Sequence, residues 1–521
     1  MNNKERAVEV SMTSHPADLP KVVKGAGINL VGAVSRTILL YAYTLFLARV
    51  LAPKQLGNYF LIFTIVNISG AVAAAGLDLG IVRYVALYAG EKKYNLVRKS
   101  FFAGLWMGIP ISLVFTIAII VAAPRISSIF LDGSKSSATA LQIFALTIPF
   151  WVAARLLNAL TQGLHMMQYQ VYSRDMGEQF SKLVFSVIAL VAGGGLIGII
   201  WANMSSVVLA MGMSLTFVFM VLPKRTSYEF SGGNPGMQLF RFSLPLALSN
   251  VIGMALLWID MLMIGYLGTS SDAGYYGTAM RVGTGSAVIM TALATVFSPV
   301  ISDLYHKREF SELNSLYKTV SRWAFSLSLP FFLIVALLAG PALRLFGSNF
   351  STVASGALIL LALSQLVNAG TGVAGLLVLM SGHSRMELIN VTVSLAIDIS
   401  LCFLLIPSLG IIGAALANLA SASVINLMRT VEAWLFVRMH AYNLNYIKPV
   451  FAGMVSSLAV LIEGRIVGPD ASLLLSLMLP SVLFAVFYIS MIFALGLDVH
   501  DKVIIDQLKN RFARADAGSG F

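Results

Sequence analysis

Charge is what this sequence has least of. Only 11% of its 521 residues are Asp, Glu, Lys or Arg, while 58% are hydrophobic and the mean hydropathy is +0.84. A soluble domain carries roughly a quarter of its residues as charges, so a water-soluble globular chain is excluded. Cysteine is nearly absent. Cys402 stands alone inside an apolar run, so neither an internal disulfide nor a thiolate metal site is expected. The first twenty-four residues are polar, without an apolar core or a small-residue cleavage signal, and are expected to be a cytoplasmic tail.

The positive balance, +12 with a pI near 9.7, at first suggests nucleic acid. The basic residues sit in short loops between apolar runs, however, and that is the positive-inside pattern of a membrane protein with no nucleic-acid partner. The reading is an all-α membrane protein of about fourteen crossings: about 25–50, 56–80, 101–123, 139–162, 180–195, 198–222, 242–267, 275–299, 320–340, 353–381, 387–407, 410–431, 447–464 and 471–496. With the N-terminus inside, 26 Lys/Arg fall on the cytoplasmic side and 6 outside. Both termini are therefore expected in the cytoplasm of a multi-pass protein of the cell membrane. Past the last crossing, Ile504, Leu508 and Phe512 recur at four-residue spacing, as in a helix lying on the inner surface.

The chain repeats itself. Gly57-Asn58-Tyr59 falls opposite Gly274-Tyr275-Tyr276, and Gly195-Leu196-Ile197-Gly198 through Asn203 opposite Gly410-Ile411-Ile412-Gly413 through Asn418. The near-constant offset marks a duplicated half, and two pseudo-symmetric six-helix lobes are a transporter plan. The expected organisation is a tail (1–24), an N-lobe (25–222), a cytoplasmic linker (223–241) and a C-lobe (242–440). Two extra helices (441–496) and an amphipathic tail (497–521) complete it. Gly198, Ala202 and Ser206, like Gly413, Ala417 and Ser421, form small-residue stripes for close helix approach. Pro110, Pro149, Pro245, Pro330 and Pro480 fall inside crossings, where they bend helices.

Three features carry a family resemblance: the turn Arg49-x-Leu51-x-Pro53-x-x-x-Gly57, the segment Gly76-Leu77-Asp78-Leu79-Gly80, and the repeated Gly-x-x-Gly-x-x-x-Ala-Asn. With the chain length, they resemble the polysaccharide transporter (O-antigen flippase-like) branch of the multidrug/oligosaccharidyl-lipid/polysaccharide exporter superfamily, over about residues 25–440. The resemblance implies two six-helix lobes around a central cavity that opens alternately to the two membrane faces. Its cargo would be an oligosaccharide linked to a polyprenyl (pyro)phosphate, moved outward for surface polysaccharide or glycoconjugate assembly. Membrane lipids, and other glycan-assembly proteins, are the implied company of a monomer.

Such a cargo needs fixed cations for phosphate and amides or aromatics for sugar. An arginine inside a membrane helix costs about 2.5–3.5 kcal/mol on insertion scales and so faces protein or a wet cavity. The candidates are Arg36, on one stripe with Asn29 and Tyr43, then Arg155 and Arg281. Each also has a structural reading as an ion pair, and for Arg281 a pair with Asp260 is the expectation. Asp398 sits mid-crossing with no basic neighbour in sequence. It suits proton or sodium coupling, with Asp260, unless Arg36 or Arg155 reaches it. Asn29, Tyr43, Asn158, Gln365 and Asn368 are candidate sugar contacts, and the last three, with Asn203 and Asn418, also suit hydrogen bonds between helices.

Two other classes compete. A cation-coupled drug or metabolite antiporter of the same superfamily would want an acidic cavity, whereas the intramembrane arginines suit an anion. A membrane enzyme needs catalytic residues on a large outer loop. The longest here, about 124–137, holds one acid, Asp132, and no histidine. No cofactor motif, zinc pattern or Walker sequence is present.

Overall fold

The computed structural model describes residues 19–222, 235–467 and 472–496. Every regular element among them is a helix, which satisfies the backbone internally where lipid offers no hydrogen bonds. In chain order these are α1 (Leu19–Val50), α2 (Pro53–Ala73), α3 (Leu77–Gly90), α4 (Tyr94–Phe130), α5 (Lys135–Ala145) and α6 (Thr147–Gly163). There follow α7 (Gln179–Val191), α8 (Gly195–Val221), α9 (Pro235–Leu267), α10 (Ser270–Gly283), α11 (Ala287–His306) and α12 (Phe310–Arg344). The chain continues through α13 (Ser348–Thr371), α14 (Ala374–Met380), α15 (Ser384–Leu409), α16 (Ile411–Glu432), α17 (Ile447–Val467) and α18 (Leu475–Ala494). The amphipathic segment expected over 499–513 lies outside the described residues.

Thirteen helical spans are long and apolar enough to cross a membrane among the described residues. The expected fifth crossing is the one that falls short. α7 has only 13 residues, and ahead of it Val171–Glu178 winds as a π-helix carrying Arg174, Asp175 and Glu178. A π stretch is rare and tends to stand where function strains a helix.

The helices form two compact units, one from the described residues of Met1–Tyr43 and Asn58–Trp258, the other from Thr44–Gly57 and Ile259–Phe521. In the first, α6 is the hub and packs on α3, α4 and α8. Gly76, with φ of +65°, breaks α2 from α3. A Cβ there would lie 2.7 Å from the Ser243 carbonyl oxygen, and one on Gly80 2.3 Å from Ser243 Oγ. Both glycines of Gly-Leu-Asp-Leu-Gly thus let α9 come close.

In the second unit, α13 packs between α12 and α16, and α15 pairs with α16. A Cβ on Gly413 would stand 2.4 Å from the Leu405 carbonyl oxygen, so the small-residue stripe sets the α15–α16 distance. α12 kinks at Leu338, three residues before Pro341, where the ring removes a helical hydrogen bond. α17 and α18 both pack on α12, and Tyr488 donates to the Ser326 carbonyl at 2.8 Å. At the turn motif, Arg49 donates through Nε to the Leu345 carbonyl at 2.5 Å. Gly57 is so close to α10 that a Cβ would come within 1.6 Å of the Ser270 carbonyl oxygen.

Candidate functional site

The first unit gathers the intramembrane cations. α1 lies close against the π stretch, because a Cβ on Gly32 would stand 2.8 Å from Val171 and 3.2 Å from Asp175 Oδ2. One turn later, Arg36 Nη1 is 3.7 Å from Asp175 Oδ1, with the arginine side chain 46% exposed and the aspartate 12%. The pair is long and Arg36 is accessible. Arg155 is bound more tightly: its Nε donates to Asp78 Oδ2 at 2.7 Å, and its guanidinium is 5.3 Å from the Trp151 ring. Arg174 completes the group, within electrostatic reach of Arg36, Arg155, Asp175 and Glu178.

Deeper in the same unit is a polar cluster around Tyr43. Asn203 Nδ2 donates to Tyr59 Oη at 2.6 Å and to Tyr43 Oη at 3.5 Å, and Ser186 Oγ lies 3.3 Å from Tyr43 Oη. The Lys182 ammonium is 5.1 Å from the centre of the Tyr43 ring and 5.9 Å from that of Phe63. Lys182 is buried. An ammonium over aromatic faces is attracted by the ring quadrupoles, the more so where water is excluded.

The second unit holds the acids. Asp260 on α9 accepts at Oδ2 from Tyr276 Oη and from Asn418 Nδ2, both at 2.8 Å. The Cys402 thiol lies 3.7 Å from Asp398 Oδ1 and 3.9 Å from Asp260 Oδ1. Ligand atoms of Asp260, Asp398 and Cys402 fall within 4.8 Å of one another, and all three residues are buried. Asp398 Oδ2 has no hydrogen-bond partner among the described residues. Two adjacent buried carboxylates do not both ionise without a compensating positive charge. Their oxygen donors, with one oxygen unengaged, fit a proton or a small hard cation.

One expectation needs correction. Arg281 does not pair with Asp260. It donates to the Gly277 carbonyl of its own helix at 3.0 Å, while Tyr276, five residues earlier, is the residue that meets Asp260. Five residues at about 100° each turn Arg281 well away from the face that Tyr276 uses. Within its own unit, Asp398 keeps company with Asp260 and Cys402. The isolated Cys402 stands beside that acid pair.

Among the amides, Asn158 Oδ1 accepts from Ser173 and Ser214, each at 3.2 Å, and so links three helical segments. Gln365 and Asn368 are half-buried on α13. The side chain of Asn29 lies outside the described residues. The residues that sequence reasoning passed over are Asp175, between the fourth and fifth crossings, and Lys182, at the edge of the fifth.

The fold that results is a multi-pass helical one shared with lipid flippases and multidrug transporters. Its overlay with the structure titled lipid II flippase MurJ, inward closed conformation, has a TM-score of 0.71 at 13% identity, covering 88% of this chain and 97% of that one. An inward-facing multidrug resistance MATE family transporter overlays with a TM-score of 0.65 at 17% identity, over 78% and 98%. Residues 22–305 match the family described as polysaccharide biosynthesis protein, and residues 245–404 match MatE. The chain belongs to the polysaccharide biosynthesis protein family. It is 25% identical over 77% of its length to the probable low-salt glycan biosynthesis flippase Agl15 of Haloferax volcanii, covering 78% of that protein. To the succinoglycan biosynthesis transport protein ExoT of Rhizobium meliloti it is 24% identical, over 55% of each chain.

Proposed function

We propose that this protein is a flippase that carries a polyprenyl-(pyro)phosphate-linked oligosaccharide from the cytoplasmic to the outer leaflet of the cell membrane by alternating access. The observation that carries the reading is Arg36: a guanidinium inside a membrane helix, half exposed and held by its aspartate only at 3.7 Å. A phosphate, with more charge and a two-pronged match to guanidinium, competes well for such a group. Arg155 and Arg174 supply positive potential nearby, and Arg155 keeps its place through Asp78. Family membership and the flippase names among the relatives support the same cargo class.

The protein acts as a monomer with both termini in the cytoplasm, which the 26 to 6 distribution of Lys/Arg supports. The Asp260–Asp398 pair is its coupling site, where entry of a proton or sodium ion relieves the repulsion of two buried acids. Asn158, Gln365 and Asn368 are the amides nearest in kind to sugar contacts, Asn158 being already engaged by two serines.

A second reading, cation-coupled efflux of small organic cations, is favoured by the MatE match over residues 245–404 and by the acid pair within it. Proteoliposomes separate the two. A fluorescent polyprenyl-pyrophosphate oligosaccharide should become accessible to the opposite leaflet only when the protein is present. Transport of an organic cation dye without movement of the lipid would overturn the flippase reading.

A further inference from the structure

The buried polar clusters of the two units are the same cluster with its charge reversed. The duplication that sets Gly57 opposite Gly274, 217 residues on, also sets the last residue of α1, Val50, opposite the last of α9, Leu267. At that offset Tyr43 falls on Asp260, and Tyr59 on Tyr276. The later match of Asn203 with Asn418 has an offset of 215. Of the offsets between these two matches, 216 places Lys182 on Asp398 and Ser186 on Cys402, and it is the contacts that select it. Asn203 ties Tyr59 to Tyr43 as Asn418 lies with Tyr276 on Asp260, and Ser186 touches Tyr43 as Cys402 lies beside Asp260.

The difference lies in charge. The five positions in the second unit hold two acids and no base. The same five in the first hold one ammonium and no acid. Where the second unit requires a cation from outside to neutralise its acids, the first carries a cation covalently, its ammonium seated over the Tyr43 and Phe63 rings.

We propose that Lys182 is a tethered cation, which permanently fills in the first unit's cluster the place that a sodium ion fills in the second unit's cluster only when it binds. Cation coupling is then confined to one unit, and Lys182 is the positioning residue that makes it one-sided. The proposal rests on Asp260 and Asp398 being the coupling site.

The test is thermal unfolding of the intact chain in detergent, with sodium chloride replacing choline chloride at constant ionic strength. The wild type should show one saturable rise in Tm with sodium, and Asp398→Asn should lose it. Adding Lys182→Asp to Asp398→Asn should restore a sodium-dependent rise, because an acid now stands where the tethered cation stood. A folded double variant with no sodium response overturns the tethered-cation assignment alone. A wild type without a response overturns the acid-pair reading, and this proposal with it.

Lys182→Met keeps the proposal testable if the double variant does not fold. Its sodium shift should match wild type, because the sodium site is in the other unit, while transport per folded molecule falls at least tenfold. Lys182→Arg should recover most of that transport. Wild-type transport by Lys182→Met overturns the proposal.

Discussion

Asn418 donates to Asp260 across 2.8 Å, joining α16 to α9 through a carboxylate that Tyr276 engages at the same oxygen. Asn418 in turn accepts from Ser364 at 2.9 Å, so one amide bridges three helices. Hydrogen bonds between membrane helices are worth about 0.6 kcal/mol on average and up to about 1.7. Loss of a donor to a buried carboxylate costs more, about 1–3 kcal/mol. Asn418→Leu should therefore lower Tm more than Asn203→Leu, whose partners are two neutral phenols. Unfolding in detergent measures both. Equal or reversed losses would show that the acid at Asp260 is not relying on Asn418.

Arg155 and Asp78 make a second stability prediction. Their bond is 2.7 Å long, with side-chain exposures of 22% and 11%. Removing one partner of a buried pair typically costs about 3–5 kcal/mol, because the other charge is left stranded, while removing both is often nearly neutral. Arg155→Met and Asp78→Asn alone should each reduce the folded yield sharply. The double variant should recover most of it. Failure to recover, with the double variant folding no better than the worse single one, would mean that the two residues act separately.

Much of this arrangement was readable in the chain, for reasons that differ by residue. Long apolar runs report helices directly, because lipid imposes length and hydropathy on them. The close-approach glycines, Gly57, Gly76 and Gly80, stood out within motifs. Arg281 misled because adjacency in a hairpin says nothing of angular position, and Tyr276 holds the face that meets Asp260. Lys182 and Asp175 were hidden for a different reason. A π stretch adds residues per turn without changing composition, so the charged segment ahead of α7, with Asp175 in it, resembled a loop, and Lys182 at the start of α7 read as the edge of that loop. The alignment of the two halves was the signal that would have recovered Lys182, since it pairs that residue with Asp398, one of the two acids already singled out.

The glycine of the first turn tests the packing at that point. An alanine methyl at Gly57 would overlap the Ser270 carbonyl, and one at Gly274 would stand 2.3 Å from the Pro53 carbonyl oxygen. Backbone cannot yield as a flexible side chain can, and overpacking of this kind typically costs about 1–3 kcal/mol. Gly57→Ala and Gly274→Ala should both be destabilised, whereas Gly90→Ala, which meets nothing within 4 Å, should be neutral. Tm values close to wild type for Gly57→Ala would refute the close approach.

Orientation is open to labelling from outside. Cysteines at Ser128 and Asn349 are exposed and should react with an impermeant thiol reagent in intact cells, while ones at Glu91 and Ser311, also exposed, should react only after permeabilisation. Ser270, in the turn between the seventh and eighth crossings, is buried and would report nothing. The native Cys402 is buried too, so the background should be low. Reaction of Glu91→Cys in sealed cells would invert the topology.

Arg36 bears on function more directly than any other residue. Its side chain is 46% exposed and its aspartate is 3.7 Å away, so truncation should leave the helix packed and the protein inserted. Arg36→Ala should nevertheless abolish export of the lipid-linked glycan, because the phosphate loses its fixed cation. Arg36→Lys should restore part of the activity, since charge survives but the planar two-pronged donor does not. Arg36→Glu should fall below Ala, with repulsion added to the missing attraction. Asp175→Asn should work in the opposite direction: it releases Arg36 from competition, so the lipid-linked glycan should bind more tightly to the purified protein. The measurement is the amount of lipid-linked glycan on the cytoplasmic leaflet, normalised to folded protein in the membrane. Normal transport per molecule by Arg36→Ala would make Arg36 structural. The phosphate would then have to be held by another cation of the same unit, with Arg174 the next to examine, because Arg155 is already committed to Asp78.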